Sequence, residues 1–193
     1  MIKSKILPKM GKLFVLVLLL LASTPAFAQS VDTAWVRRYD GLENSYDRAT
    51  AIAVDDSGNV YVTGESVGAE MDSDYVTIKY YSNGDTAWVR RYSGSGNSDD
   101  YAYGIVVDAT GNVYVTGRSG SFPNSDYATI KYNTNGDTTW VRRYNGTGDY
   151  YDRAEAIAVD SSGNVYLSGV SYGSGTDGDF ATIKYYPNGD TAW

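Results

Sequence analysis

Four tryptophans divide the chain at nearly equal steps. Trp35, Trp88, Trp140 and Trp193 are separated by 53, 52 and 53 residues, and each closes the phrase Asp-Thr-Ala-Trp or Asp-Thr-Thr-Trp. The phrases Gly-Asn-Val-Tyr and Thr-Ile-Lys-Tyr recur three times with the same step. A fixed period of this length is typical of a propeller or another repeat array, in which each repeat is one supersecondary unit.

Each period has room for four strands, here lettered a to d. In the first repeat, segments rich in Val, Ile, Thr, Tyr and Trp occupy 49–54, 60–65, 74–81 and 86–92, with turn residues between them. The sequence therefore predicts an all-β fold of four-stranded antiparallel β-propeller blades, at about 49–92, 102–144 and 154–193. A lone strand over residues 33–39 is expected to precede them, and the last strand d stops at Trp193.

Two kinds of turn recur inside the repeats. Between strands a and b, residues 55–59 read Asp-Asp-Ser-Gly-Asn, which predicts a type I turn followed by a bulge. Between c and d, Asn83-Gly84 predicts a two-residue turn that sets Lys79 opposite Trp88. The same count sets Lys131 opposite Trp140 and Lys184 opposite Trp193. Each Lys is expected to lie along the indole that it faces.

The recurring phrases resemble a known family. Gly-Asn-Val-Tyr-Val-Thr-Gly, Asp-Tyr-Ala-Thr-Ile-Lys-Tyr and Asn-Gly-Asp-Thr-x-Trp are similar to the seven-bladed β-propeller repeats of bacterial secreted and cell-surface proteins, over nearly all of residues 32–193. The resemblance implies an extracellular scaffold or interaction region. It implies no shared catalytic residues.

The number of repeats is too small for a ring. A closed propeller needs about 4–8 blades, and the sequence holds three complete a-b-c sets, so we expect an incomplete ring. One interpretation is a fragment of a longer propeller protein, with no function by itself. Another is self-association through open blade edges, in which strand d of one chain completes the last blade of another.

The N-terminus has the pattern of a secretory signal peptide. Four Lys residues precede an apolar run over 13–22, and Ala26-Phe27-Ala28 is a small-residue cleavage site. We expect residues 1–28 to be removed, leaving a secreted or cell-surface chain that starts at Gln29 and contains no membrane span. An uncleaved anchor helix is the alternative.

Composition narrows the possible functions. Without residues 1–28 the net charge of −7 becomes −11, which disfavours binding to nucleic acid. The chain has no Cys and no His, so disulfides, Ser-His and Cys-His nucleophile systems and ordinary zinc sites are excluded. We therefore expect a non-enzymatic protein without cofactors, and calcium is the one ion for which there are weak candidate ligands.

The loops that vary between repeats are the candidate ligand site. The d–a and b–c connections differ in length and content, and in a propeller they share one rim. Aromatic and acidic residues there would suit a glycan or a peptide partner. The alternative is a solvated rim with tyrosines packed between blades. The candidate rim residues are Tyr46, Asp99, Asp100, Tyr101, Phe122, Tyr150, Tyr151 and Tyr172.

Acidic residues at the end of the b–c loops suggest calcium. Alternating oxygen ligands can hold Ca²⁺, and the candidates are Asp72, Asp74, Asp126, Asp177 and Asp179. The alternative is that they are turn residues at the start of strand c, since no complete D-x-D-x-D-G loop is present.

The leading functional hypothesis is a secreted, non-catalytic scaffold or interaction module. The alternative is a carbohydrate-active enzyme with paired carboxylates, because glycoside cleavage needs only Asp or Glu. Among the acids no matched pair stands out, and the glutamates are Glu43, Glu65, Glu70 and Glu155.

Overall fold

A computed structural model describes residues 32–68, 71–96 and 98–193. The predicted signal peptide, 1–28, lies outside the described residues, as does Glu70. Residues 34–193 form one compact unit. In the described part of the chain no helix is long and apolar enough to cross a membrane, and a three-residue 3-10 turn over Leu42–Asn44 is the only helical segment.

Across the described residues, eleven antiparallel strands form three sheets, as the repeat predicts. Blade 1 contains β1 Asp47–Val54, β2 Val60–Val67, β3 Ser73–Tyr80 and β4 Thr86–Tyr92. Blade 2 contains β5 Asp100–Val107, β6 Val113–Ser119, β7 Asp126–Tyr132 and β8 Thr138–Tyr144. Blade 3 contains β9 Arg153–Val159, β10 Val165–Tyr172 and β11 Gly178–Tyr185. Within each sheet, strands adjacent in sequence pair with each other, and the sheets do not close into a ring.

The a–b turns have the predicted form. In the first turn the Gly58 N–H donates to the Asp55 carbonyl, and the Asp55 N–H donates to the Asn59 carbonyl. Gly58 takes a φ of +77°, which is the left-handed conformation that a bulge after a type I turn requires. Asp108 and Asp160 begin identical turns in blades 2 and 3.

The c–d turn is longer than predicted. The Tyr81 N–H donates to the Asp85 carbonyl and the Gly84 N–H to the Tyr81 carbonyl, which leaves three residues in the loop rather than two. Tyr80 consequently faces Thr86. A bulge at the next position then moves the register by one residue, so that Lys79 does face Trp88. The turn prediction is therefore wrong, but the predicted Lys–Trp register is confirmed.

The partner of each repeated lysine also differs from the prediction. The Lys79 ammonium lies over the ring of Tyr61, 5.2 Å from its centroid, and the Lys of blades 2 and 3 lies over the matching Tyr at the same distance. Trp88 instead lies beside Arg90 at 5.7 Å. Tyr61 is the neighbour of Lys79 across the pair of strands b and c. Lys79 therefore has Trp88 on one side and Tyr61 on the other, and its ammonium lies over Tyr61.

The expected lone strand over residues 33–39 is not formed. Residues 32–40 have no ladder partner and no strand assignment. Trp35 nevertheless packs against Tyr80 with ring centroids 5.9 Å apart, and its indole N–H donates to the Ser82 carbonyl. Trp88 and Trp140 contact the following blade in the same way. Residues 34–40 thus lie where strand d of a preceding blade would lie, without a strand c to pair with.

The end of blade 3 has only the beginning of strand d. Thr191 forms an isolated bridge to Tyr185. The Lys184 N–H donates to the Trp193 carbonyl and the Ala192 N–H to the Lys184 carbonyl. Most of the outer edge of β11 therefore has no partner strand in this sheet.

Apolar side chains fill the spaces between successive blades. Tyr61, Tyr75 and Trp88 of blade 1 pack on a face of blade 2 that includes Ile105 and Ile130. The other face of blade 2 packs on blade 3, and a third cluster covers the free side of blade 1 in part. The core is therefore a series of layers between sheets, which explains why both faces of blade 2 are apolar.

Candidate interaction rim

The variable loops meet on one side of the blades. In a sheet of sequential antiparallel strands, the b–c and d–a connections leave the same end. The Ser73 N–H after the first b–c loop donates to the Asp99 carboxylate in the following d–a loop. The Asp152 N–H likewise donates to the Ser125 carbonyl. We call this end, with its loops, the rim.

Four of the predicted rim residues form one aromatic patch. Phe122 lies 6.0 Å from Tyr150 and 6.2 Å from Tyr151, measured between ring centroids. Tyr172 lies 5.2 Å from Tyr150 and 6.3 Å from Tyr151. The rings come from the b–c loop of blade 2, the following d–a loop and the end of β10. We call these four residues the aromatic patch.

The aromatic patch is open to solvent. Phe122 is 71% exposed and Tyr150 is 39% exposed, whereas Tyr151 and Tyr172 are half-buried. Ring pairs in tilted or edge-to-face contact stabilise one another by about 0.5–1.5 kcal/mol beyond the area that they bury. The four rings therefore hold each other in place while presenting an apolar surface to a partner.

Two other predicted residues lie in a second, polar cluster between blades 1 and 2. The Arg118 guanidinium lies 4.3 Å from the ring centroid of Tyr101, and Tyr103 stacks on Tyr101 at 6.5 Å. Asp99 is half-buried beside them and accepts the Ser73 N–H at 3.0 Å. The Arg118 guanidinium and one Asp99 oxygen therefore already have partners within the chain.

The remaining two predicted rim residues, Tyr46 and Asp100, lie in neither cluster. Tyr46 is 60% exposed and has no part in the aromatic patch. Asp100 is wholly buried, and one of its oxygens accepts the Gly94 N–H. Burial raises the pKa of Asp100, although the bond from the Gly94 N–H opposes the shift. Asp47 and Asp152 accept a Gly N–H in the same way in the other repeats, so this carboxylate has a repeated role within the fold.

The calcium candidates do not converge. Asp74 and Asp126 form ion pairs with Arg91 at 3.0 Å and Arg143 at 2.9 Å, so arginines already neutralise these carboxylates. Asp177 and Asp179 are exposed, and Asp72 is half-buried in the first b–c loop. Nowhere in the described ranges do three acidic side chains come together as metal ligands require.

Three rim arginines were missed in the sequence. Arg48 and Glu65 form an ion pair at 3.0 Å, and they face each other across β1 and β2. The same cross-strand position holds Tyr101 and Arg118 in blade 2, and Arg153 and Val170 in blade 3. The signal was available, because these positions change between repeats while their neighbours stay constant.

Glu65 has an unusual environment. Only 5% of this residue is exposed, and its second carboxylate oxygen has no hydrogen-bond partner among the described residues. Burial raises the pKa of Glu65, while the nearby Arg48 and Arg118 lower it and Asp99 adds to the rise. Of the glutamates named above, Glu155 is exposed and pairs with Arg153.

Comparison with known proteins agrees with the architecture. A family model described as a beta-propeller repeat matches residues 35–69 and 87–123. No curated protein matches the sequence. The two matched segments begin at equivalent positions, at Trp35 and one residue before Trp88, and reach into the b–c loops of blades 1 and 2. The sequence is thus similar to beta-propeller repeats over these two segments, and the three antiparallel sheets agree with that architecture.

Proposed function

We propose that this chain is a non-catalytic scaffold or interaction module, exported from a bacterial cell, that binds a glycan or peptide partner through the aromatic patch. The observation that carries the proposal is the exposure of Phe122 and Tyr150 within a set of four rings that are joined by four ring contacts. Repeat architectures present such loops on a rigid support, and binding residues concentrate there.

The physical properties of the patch fit recognition. Tyr and Phe supply a large contact area with few rotatable bonds, so little side-chain entropy is lost on binding. Residues of this kind dominate the energetics of protein interfaces. The rim elsewhere uses its polar groups internally, as Arg118 does over Tyr101. The aromatic patch is therefore the part of the rim best suited to a partner.

Arrays of glycans and of synthetic peptides test the proposal, since these are the two ligand classes that the rim suits. The intact protein should bind a subset of the probes. A Phe122→Ala/Tyr150→Ala variant should bind them at least about 30-fold more weakly, because the loss of central aromatic contacts costs about 2 kcal/mol or more. Tyr46→Ala is the matched control, since Tyr46 is an exposed rim tyrosine outside the patch. Equal binding by all three proteins would refute the proposed site.

Export is supported by the charged and apolar N-terminal pattern of residues 1–28. Mass spectrometry of protein recovered outside the cytoplasm should find Gln29 at the N-terminus. An intact Met1 on that material would contradict the proposed cleavage.

A second candidate, a carbohydrate-active enzyme, rests on Glu65. A buried carboxyl with a raised pKa next to another acid is the pattern of a general acid and its partner. Its burial and its ion pair with Arg48 favour the non-catalytic proposal. Hydrolysis of any arrayed glycan, abolished by Glu65→Gln, would replace that proposal with this one.

A further inference from the structure

The repeated arginines of strand d use all of their nitrogens within the chain. Arg90 donates hydrogen bonds to backbone carbonyls from Nε, Nη1 and Nη2. Arg91 donates from the same three nitrogens to groups of its own blade. Arg142 and Arg143 repeat both patterns in blade 2. The fold therefore occupies these four guanidinium groups.

Two arginines of the rim differ from this pattern. Arg118 donates from Nη1 to the Gly120 carbonyl at 3.0 Å, and Arg153 donates from Nη2 to Glu155. Among the described residues their other nitrogens have no hydrogen-bond partner. The Nε of Arg153 is buried, but the side chain as a whole is 35% exposed, and Arg118 is half-buried. A guanidinium has five N–H donors, so both groups keep donors for a ligand.

Tyrosine rings fix these two guanidinium groups on the rim. The guanidinium carbon of Arg118 lies 4.3 Å from the ring centroid of Tyr101, and that of Arg153 lies 5.4 Å from Tyr103 and 5.9 Å from Tyr151. Tyr101 and Tyr103 are stacked with their planes 12° apart. A guanidinium stacked on a ring keeps the N–H groups at the edge of its plane available. We call Arg118, Tyr101, Tyr103 and Arg153 the arginine strip, which meets the aromatic patch at Tyr151.

We propose that the arginine strip and the aromatic patch together bind an acidic glycan, whose sugar rings lie against the aromatic patch and whose carboxylates bind Arg153 and Arg118. This inference rests on the proposed function, and it narrows the ligand to a glycan that carries carboxylates. All of the contacts in the strip are made within blades 2 and 3 and the loop between them.

The chain itself shows how its arginines hold a carboxylate. Arg143 donates from Nε and Nη2 to the Asp126 carboxylate at 3.1 and 2.9 Å. The same two nitrogens of Arg118 have no partner in the described ranges, so this edge of Arg118 can hold the carboxylate of a ligand in the same way. At Arg153 the ligand contacts Nη1, because Glu155 holds Nη2 and Nε is buried.

The charges along the strip favour a glycan over a nucleic acid. Glu155 pairs with Arg153, and Glu65 and Asp99 lie in the same cluster as Arg118. The strip therefore offers two separate cations among acids, on a chain with a net charge of −7. Duplex DNA carries one charge per about 1.7 Å and is bound by many neighbouring cations. A glycan of alternating acidic and neutral sugars carries its charges farther apart, and the apolar faces of its sugars can pack on exposed rings.

Calorimetric titration of the full chain tests the inference with two matched probes. One is a hyaluronan hexasaccharide, in which glucuronate alternates with N-acetylglucosamine. The other is the same hexasaccharide with its carboxylates converted to methyl esters. The wild-type chain should bind the acid at least about 10-fold more tightly than the ester, because hydrogen bonds to a charged group are stronger than neutral ones.

Two arginine variants locate the preference for the acid. Arg118→Gln and Arg153→Gln should each remove most of it and leave the affinity for the ester unchanged. Arg38→Gln, at an exposed arginine outside the strip, is the matched control and should bind both probes like the wild type. Circular dichroism should show the same β content in all of these proteins.

Equal binding of acid and ester by the wild type would overturn the inference, as would no binding of the acid. Tighter binding of an oligoglutamate peptide or of oligothymidylate than of the acid would also overturn it, in favour of an acidic peptide or a nucleic acid.

The Phe122→Ala/Tyr150→Ala variant separates this inference from the proposed function. It should weaken the binding of acid and ester alike, whereas the arginine variants should weaken only that of the acid. A loss of ester binding in the aromatic variant, with no preference for the acid in the wild type, would keep the proposed function and refute the arginine strip. Unchanged ester binding in the aromatic variant would refute the aromatic patch, even if the arginine variants still lose the acid.

Discussion

At the residue scale, the carboxylate that begins each a–b turn organises the local structure. Asp55 accepts the N–H groups of Ser57 and Asn59 on one oxygen, and the Asn59 amide and Tyr61 hydroxyl on the other, at 2.8–2.9 Å. Asp108 and Asp160 do the same in blades 2 and 3. Burial opposes ionisation of Asp55, but these bonds together lower its pKa. The Asn164 side chain and backbone bonds lower the pKa of Asp160 to about 2.

These turns should make stability fall in acid. The folded pKa of each carboxyl lies below the ordinary value of 3.8, so the unfolded chain binds more protons between about pH 4 and 2 and stability decreases as pH falls through that window. Chemical unfolding followed from pH 6 to pH 2.5 measures the slope. Asp55→Asn should flatten it, whereas Asp56→Asn, at the exposed next position of the same turn, should leave it unchanged. Identical slopes for both variants would contradict this account.

At the element scale, the c–d hairpin links one blade to the one before it. The glycine of each c–d turn has a positive φ and lies under the Trp of the preceding repeat phrase, which for blades 2 and 3 belongs to the preceding blade. For Gly136, an added Cβ would lie 2.8 Å from the Trp88 ring. The Arg90 guanidinium donates to the Gly136 carbonyl at 2.7 Å. The turn is therefore both the end of a hairpin and a contact surface between blades.

Replacing Gly136 should show how much its left-handed backbone and its contact with Trp88 each contribute to stability. Gly136→Ala should cost about 1–2 kcal/mol for the left-handed backbone and about 1–3 kcal/mol more for crowding Trp88. Gly175→Ala is the matched control, because Gly175 has the same φ of +82° and nothing within 4 Å of an added Cβ. Urea unfolding measures both. Equal losses of unfolding free energy would show that the Trp88 contact adds nothing.

At the scale of the whole molecule, burial is uneven along the stack. Blade 2 is covered on both faces, whereas blades 1 and 3 each expose large apolar side chains such as Ile52 and Phe180. Repeat arrays gain stability from the contacts between neighbours, so a repeat with one neighbour is less stable than one with two.

The sequence by itself determined the strands, their order and most of their pairing. The Trp period gave the length of a blade, and alternating apolar residues with turn signals such as residues 55–59 gave its strands. These features are local, since alternation and turn chemistry act over a few residues. The register of Lys79 with Trp88 was also predictable, although the longer turn and its compensating bulge were not. The extra loop residue and the bulge each shift the register by one residue, in opposite directions. The Lys79–Trp88 pairing is therefore the same with both of them as with neither, and counting along the sequence cannot tell the two cases apart.

The tertiary structure alone decided what depends on neighbours distant in sequence. Residues 34–40 have the sequence of a strand but no partner to pair with, and a strand exists only within a ladder. The sequence placed both Asp100 and Tyr46 on the rim, yet Asp100 is buried and Tyr46 lies outside the aromatic patch. Phe122, Tyr150, Tyr151 and Tyr172 come from separate segments and meet only because blades 2 and 3 stack side by side. A repeat pattern specifies each blade, whereas a site made by several loops depends on how the blades pack.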